Sequence, residues 1–302
     1  MKQSPFLERL KSGEILVADG ATGTNLQARG LERGAPSETW LFERPDEIIR
    51  LHYDFIKAGA QIILTDTFGA SPLRLEATTL GGHADDVNQR AVELARQAIQ
   101  KAGREAGEVF IAGSIGPSGG LIKPLGPLNE EQVYDSFSQQ VRALANAGVD
   151  LLVIETQFDL KEATLAAKAG VDNSQLSIVV SFSYDRGTRT MMGVRPAQMA
   201  TEFSASDLQI DVLGVNCGRS LEENLEALKE LRTATGLPVW FKPNAGLPKT
   251  DSQGNSIYEL KPDEMGALAK VWIDNGAQVV GGCCGTSPEH LAQIALAAKE
   301  RG

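Results

Sequence analysis

The stretch Val279-Val280-Gly281-Gly282-Cys283-Cys284-Gly285-Thr286 decides how this 302-residue chain is read. An apolar run, Ala277 to Val280, leads into it, and Thr286, Ser287 and Pro288 open a helical pattern that continues to the end. Thr286 with Glu289 three residues on matches a capping box, and Pro288 suits a first helical turn. The segment therefore reads as a strand, a tight glycine turn and a helix, with two thiols at the C-terminal end of the strand. A helix N-terminus favours negative charge, and so favours thiolate over thiol.

The same unit recurs upstream. Apolar runs at Glu14–Asp19, Gln61–Asp66, Val109–Ser114, Asp150–Glu155, Ser177–Phe182, Ile210–Asn216 and Pro238–Lys242 read as seven earlier strands, with Gln278–Gly282 as the eighth. Helical spacing fills the intervals: Pro45–Ala58, about Ala84 to Ala106, Glu130–Ala147, Leu160–Ala169, roughly Pro196–Ser204, Leu221–Ala234, Pro262–Asn275 and Pro288 to about Arg301. Ala21 to Asn25 reads as a small-residue loop. The strands are almost continuously apolar, as expected when both faces are buried. Gly59, Gly148 and Gly276 stand where helix C-caps need a left-handed residue. Eight strand–helix pairs with no strand left over and no linker predict an α/β fold, a single-domain (β/α)8 TIM barrel over residues 1–302. An open doubly wound sheet is the alternative. The longest irregular stretch, Pro243 to Tyr258, follows strand seven and so belongs on the active face.

Composition narrows the function. The formal net charge is −10, with no long run of either sign, which argues against nucleic acid or an anionic membrane as a partner. No apolar stretch is long enough to span a bilayer, and Met1 to Gly13 is polar and charged, without the pattern of a signal peptide. Three cysteines, an odd number, fit a reducing cytoplasm.

The adjacent thiols have three readings: two small buried hydrophobes, a strained disulfide, or part of a metal site. The remaining cysteine, Cys217, ends the apolar run Val212 to Val215. In a barrel, Cys217, Cys283 and Cys284 converge at one rim, and three protein ligands leave Zn²⁺ one open position. Asp19 and Glu155 end strands one and four at that same rim, and Asn216 stands beside Cys217. Thiolate-rich zinc suits activation of a further sulfur. Two acids nearby suit an amino group, so the substrate expected is an amino-acid thiol. His52, His83 and His290 do not follow strands and are read as structural or solvated.

These motifs resemble a known family. Asp19-Gly20-Ala21-Thr22-Gly23-Thr24, Val215-Asn216-Cys217 and Gly281–Thr286 are similar to the zinc-dependent homocysteine S-methyltransferases. Thr65-Asp66-Thr67-Phe68-Gly69-Ala70, Ile154-Glu155-Thr156 and Pro243–Pro248 look like the homocysteine-binding module of cobalamin-dependent methionine synthase. The resemblance covers nearly the whole chain. It implies methylation of homocysteine to methionine, with Cys217, Cys283 and Cys284 as zinc ligands and the substrate sulfur as the fourth. It also implies that Asp19, Glu155 and the backbone at Gly20 and Ala21 hold the amino-acid end. Asn216 is read with Asp19, Gly20, Ala21 and Glu155 as a substrate-binding residue, and is also a candidate zinc ligand in the resting site. Asp66 departs from the Asn common in methionine synthases. The methyl donor is left open between a small molecule and a corrinoid or folate partner module, as is the choice between a free-standing enzyme and an excised module. Competing readings are methylation of another thiol or of a corrinoid protein, a non-catalytic zinc or thiol-binding barrel, and a phosphate-binding barrel.

Overall fold

The computed structural model describes residues 4–104, 107–250 and 256–301. Its frame is eight parallel strands: β1 Leu16–Val17, β2 Ile62–Leu64, β3 Phe110–Ile115, β4 Leu151–Gln157, β5 Ser177–Phe182, β6 Val212–Cys217, β7 Val239–Pro243 and β8 Val279–Val280. Each strand from β2 to β7 pairs with the next, β7 pairs with β8, and β8 with β1. Ala18 bridges to Ile62 in parallel, and Asp19 N donates to Ile62 O at 2.9 Å, which closes the circle between β1 and β2. The predicted (β/α)8 barrel is thus the observed fold.

Alternation along the strands sorts the residues into two cores. Leu16, Ile62, Leu64, Phe110, Leu151, Val153, Val179, Val212, Trp240 and Val279 fill the barrel interior. The alternate residues of the same strands, among them Val17, Ile63, Ile111, Leu152, Ile178, Leu213 and Val280, pack outward against the helices. Gly59, Gly148 and Gly276 take φ of 108°, 85° and 93°, the left-handed caps expected of them.

Several elements differ from the sequence reading. Pro5–Lys11 is a helix, capped by Ser4 Oγ accepting from Leu7 N, and its Phe6, Leu7 and Leu10 join the interior cluster. That helix closes one end of the barrel, with Phe6 edge-on to Phe110. Its seven residues are too few to show a period, so the segment read as merely polar. Phe6→Ala is expected to destabilise the fold by about 3–5 kcal/mol, seen as a lower urea midpoint. Thr22–Ala28 is helical, where a loop was expected, and short helices occupy Trp40–Glu43 and Pro72–Leu75. The helix after β4 continues to Asn173, because Ala166, Ala169 and Gly170 are buried on its inner face. The helix from Ala84 ends at Ala102, and the expected end at Ala106 lies outside the described residues. Part of the irregular stretch after β7 forms a ribbon, Lys249–Thr250 against Ser256–Ile257, and residues 251–255 also lie outside the description.

The Thr286–Glu289 capping box does not form. Thr286 is fully buried against Gly282, where an added Cβ would sit 2.1 Å from its Oγ1. Glu289 instead accepts from Ser287 Oγ at 2.6 Å. Among the described residues no helix is long and apolar enough to cross a membrane.

Candidate active site

The inward parity that places Val153 and Trp240 in the core continues two residues further along each strand and turns polar. Ser114, Glu155, Ser181, Asn216 and Lys242 form this layer at the C-terminal ends of β3 to β7, all buried. Above it is a cavity of about 320 Å³, walled by Gly20 and Ala21 on one side and Cys217, Cys283 and Cys284 on the other.

The three sulfurs lie within 4.8 Å of one another, with Cys217 Sγ 2.8 Å from Cys283 Sγ, and none is in a disulfide. The backbone builds this cluster. Cys217 ends β6 with φ of 54°, a left-handed conformation rare for a residue with a side chain. Asn224 Nδ2 donates to Cys217 O at 2.7 Å and fills the space a Cβ on Gly218 would need. Asn244 ties the next two loops together: its Nδ2 donates to Gly218 O at 2.8 Å and its Oδ1 accepts from Cys284 N at 3.0 Å. Cys283 N donates to Pro243 O at 2.8 Å.

Protonation within the cluster is uneven. Hydrogen bonds from Cys217 and Cys283 hold the Cys284 thiol down to about 3, with help from Tyr258. Cys217 is pushed well above the usual thiol range by its own hydrogen bonds to Cys283 and Cys284, then by burial. Cys283 gains a hydrogen bond from Cys217, but its bond to Cys284 and burial outweigh this and raise it to about 12. The cluster thus accepts one negative charge readily and resists a second and third until a cation offsets them. A tetrahedral zinc with Zn–S near 2.3 Å holds its sulfurs about 3.8 Å apart, a spacing that small side-chain adjustments reach. The donor set therefore fits zinc.

The structure places the other expected residues as follows. Glu155 lines the cavity and accepts from Ser114 Oγ at 2.6 Å. Burial raises its carboxyl to about 7, and nearby Lys242 only partly opposes that. Asp19 sits behind the wall. Its Oδ1 accepts from Lys242 Nζ at 2.7 Å and its Oδ2 from Leu64 N at 2.8 Å. Asn216 is also behind the wall, fully buried, with Oδ1 accepting from Thr156 N at 2.9 Å and Ser181 Oγ at 2.6 Å. Neither lone pair of that oxygen is free for a metal in this arrangement. Gly20 and Ala21 line the cavity, but Ala21 N already donates to Thr286 O at 3.2 Å. The histidines stand apart, as expected. His52 is buried in a helix and burial lowers it to about 4, His83 pairs with Asp86 on the surface, and His290 is held by Ser287 and Leu260 O.

Sequence reading gave no role to Lys242. The available signal was its position, two residues beyond Trp240 at the end of β7, where inward parity meets the active rim. Asp66 was flagged only as a departure from a resemblance. In the structure it lines the cavity, buried beside Glu38. Ser37 Oγ donates to its Oδ1 at 2.6 Å, while its Oδ2 has no partner.

Burial, and secondarily the Glu38 charge, raise Asp66 to about 8. The unfolded chain would lose this proton near pH 4, whereas the folded chain keeps it, so stability falls as pH rises between those values. Asp66→Asn is therefore expected to stabilise the fold by about 2–4 kcal/mol at pH 8 and by little at pH 4. Thermal unfolding at both pH values checks this, and an equal effect at each would disprove it.

A closed barrel with a thiol cluster and perturbed acids at the C-terminal ends of its strands is the architecture of a TIM-barrel enzyme. The profile of the family described as homocysteine S-methyltransferase matches residues 16–298, and the chain belongs to that family, an S-methyltransferase by class. It is 31% identical over 298 residues to a methionine synthase of Mycobacterium tuberculosis, covering 95% of this chain and 25% of that protein. A methionine synthase of Mycobacterium leprae is also 31% identical, over 94% of this chain and 24% of its own length. The chain thus spans about a quarter of these curated relatives. The crystal structure of the homocysteine methyltransferase MmuM from Escherichia coli, in its metallated form, superposes with a TM-score of 0.82 at 27% identity, covering 97% of this chain and 99% of that one.

Proposed function

We propose that this barrel transfers a methyl group to the thiol of homocysteine, forming methionine, with zinc held by Cys217, Cys283 and Cys284. The observation that carries this reading is the meeting of three thiols within 4.8 Å beside a cavity that also receives Glu155 and Lys242. Zinc at that site would lower the pKa of a substrate thiol while leaving the sulfur nucleophilic.

The chain's own residues do the rest. Glu155, as carboxylate, receives the substrate ammonium, and the backbone of Gly20 and Ala21 packs along the amino-acid end. Asp19 acts through Lys242, which it holds in place. Asn216 acts through Thr156, whose φ of 58° it stabilises with bonds to Thr156 N and Oγ1, so that Glu155 faces the cavity. The barrel mouth aligns the sulfur with the donor methyl. As the S–C bond forms, the bond from methyl to donor breaks, and the donor keeps the electron pair.

Residues 1–302 serve as the homocysteine-binding unit, supplied by a small methyl donor or by a corrinoid or folate module. Unpaired thiols at the site suit the cytoplasm. The test incubates zinc-loaded protein and homocysteine with S-methylmethionine, a betaine, methylcobalamin, methylfolate or a methylated corrinoid protein, and reads methionine by mass spectrometry. Methionine with one donor supports the reading. No methionine with any of them would overturn it.

A further inference from the structure

A second cavity, of about 680 Å³, adjoins the one walled by the thiols. The two share Gln27, Ser37 and Phe68 as walls. A substrate sulfur at the cysteines lies in the smaller cavity, so the methyl group must come to it from an adjoining space. The larger cavity is such a space.

Two buried acids mark the junction. Asp66 lines the smaller cavity, where Ser37 Oγ donates to its Oδ1 at 2.6 Å and its Oδ2 has no partner. Glu38, the residue after Ser37, lines the larger cavity, and its Oε1 accepts from Gly69 N at 2.6 Å. Their exposures are only 3% and 5%, so water offers neither charge much relief. Neither acid is in a salt bridge among the described residues. Arg74 is the one cation among the described residues that wall the larger cavity. Its guanidinium lies over the Phe68 ring at 5.3 Å and donates to Pro117 O at 3.4 Å, and its charge reaches Glu38 only at longer range. Burial raises both carboxyls, and the Glu38 charge adds to this at Asp66. Two negative charges here are costly until a cation stands beside them. An amide of the same shape would fill the Asp66 position without that cost, so packing does not account for the acid.

Methyl donors divide by charge. In a sulfonium or quaternary ammonium compound, the atom that bears the methyl group is a cation without an N–H to donate. Such a cation is held by negative charge and by aromatic or apolar surface. The junction offers both, with Asp66 and Glu38 for charge and Pro36, Phe68 and Leu73 for the methyl groups. A neutral or anionic donor would leave the two acids unanswered.

We propose that the junction of the two cavities seats an onium methyl donor, a sulfonium or quaternary ammonium compound, and that Asp66 with Glu38 selects it by its positive charge. This rests on the homocysteine reading above and names the donor class for it. The thiolate sulfur attacks the methyl carbon, the bond from that carbon to the onium sulfur or nitrogen breaks, and the electron pair stays on the leaving atom. That atom becomes uncharged and loses its attraction to Asp66, which favours release of the product.

The test supplies zinc-loaded protein and isotopically labelled homocysteine with S-methylmethionine or betaine, and reads labelled methionine by mass spectrometry. Each donor is paired with its uncharged carbon isostere as competitor, 2-amino-5-methylhexanoate for the first and 3,3-dimethylbutanoate for the second. At least one onium donor is expected to react, and its isostere should have an inhibition constant about tenfold or more above the donor's KM. Asp66→Asn and Glu38→Gln should each raise that KM about tenfold, with kcat and the isostere's inhibition constant changing less than about threefold. Zinc content and homocysteine affinity, read by metal analysis and calorimetry, should stay at wild-type values in both. Asp66→Asn keeps the side chain's shape, so it carries the test should Glu38→Gln fold poorly. Methionine formed only from methylcobalamin, methylfolate or a methylated corrinoid protein would overturn the proposal. So would an isostere that binds as well as its donor, or an unchanged donor KM in Asp66→Asn. No methionine from any donor would instead overturn the homocysteine reading itself.

Discussion

Wild type is expected to purify with about one zinc per chain, and Cys217→Ser, Cys283→Ser and Cys284→Ser each with far less and with no methyl transfer. A serine hydroxyl is a harder and far less acidic ligand than a thiol. The cluster explains why each of the three matters. Without a cation it takes one negative charge at Cys284, and Cys217 and Cys283 hold their protons. Full zinc binding needs all three thiolates, so removing one weakens the other two as ligands. The variants should stay folded, because two buried clusters stabilise a barrel of this size without help from a metal. Metal content by mass spectrometry and far-ultraviolet circular dichroism decide the matter. Full zinc occupancy in any of the three would remove that cysteine from the ligand set.

The fold was legible because an apolar run followed by a helical pattern repeats eight times. The barrel then brought together residues as far apart as Cys217 and Cys283, which only the strand-end rule connects. Legibility failed where the decisive fact is a pairing rather than a position. Asp19 stands at the expected strand end, yet its two oxygens are taken by Lys242 and Leu64 N. Nothing in Ala18-Asp19-Gly20 announces that partner, because β7 becomes its neighbour across the barrel interior only on closure. Asn216 is similar: its position was read correctly, but its amide is consumed by Thr156 and Ser181. The helix at Pro5–Lys11 escaped notice for another reason. Three buried residues in about two helical turns give no measurable period, and their burial depends on the open end of a barrel formed much later in the chain.

Glu155 should make homocysteine binding depend on pH in a way that separates it from the thiol. Its carboxyl sits at about 7 in the free protein, raised chiefly by burial, whereas an ammonium partner requires the carboxylate. Binding therefore expels the proton from Glu155 as well as the one from the substrate thiol, whose reference value is about 8.5. Near pH 7 the wild type should release about 1.5 protons per homocysteine, rising to nearly 2 at pH 6. Glu155→Gln has only the thiol proton to lose, so it should release about 1 at both pH values. Its affinity should be ten- to a hundredfold lower at pH 8, with the gap narrowing as pH falls. Stability should move the other way. A carboxyl with a raised folded pKa weakens the fold as pH rises from about 4.5 to 7, so Glu155→Gln is expected to melt higher than wild type at pH 8 while binding homocysteine worse. Calorimetry in buffers of different ionisation enthalpy counts the protons, and thermal unfolding at pH 5 and 8 reads the stability. Parallel pH profiles for wild type and Glu155→Gln would place the ammonium somewhere other than Glu155. A variant that binds worse because it is misfolded would melt lower, so the two measurements together distinguish a lost ligand contact from a damaged barrel.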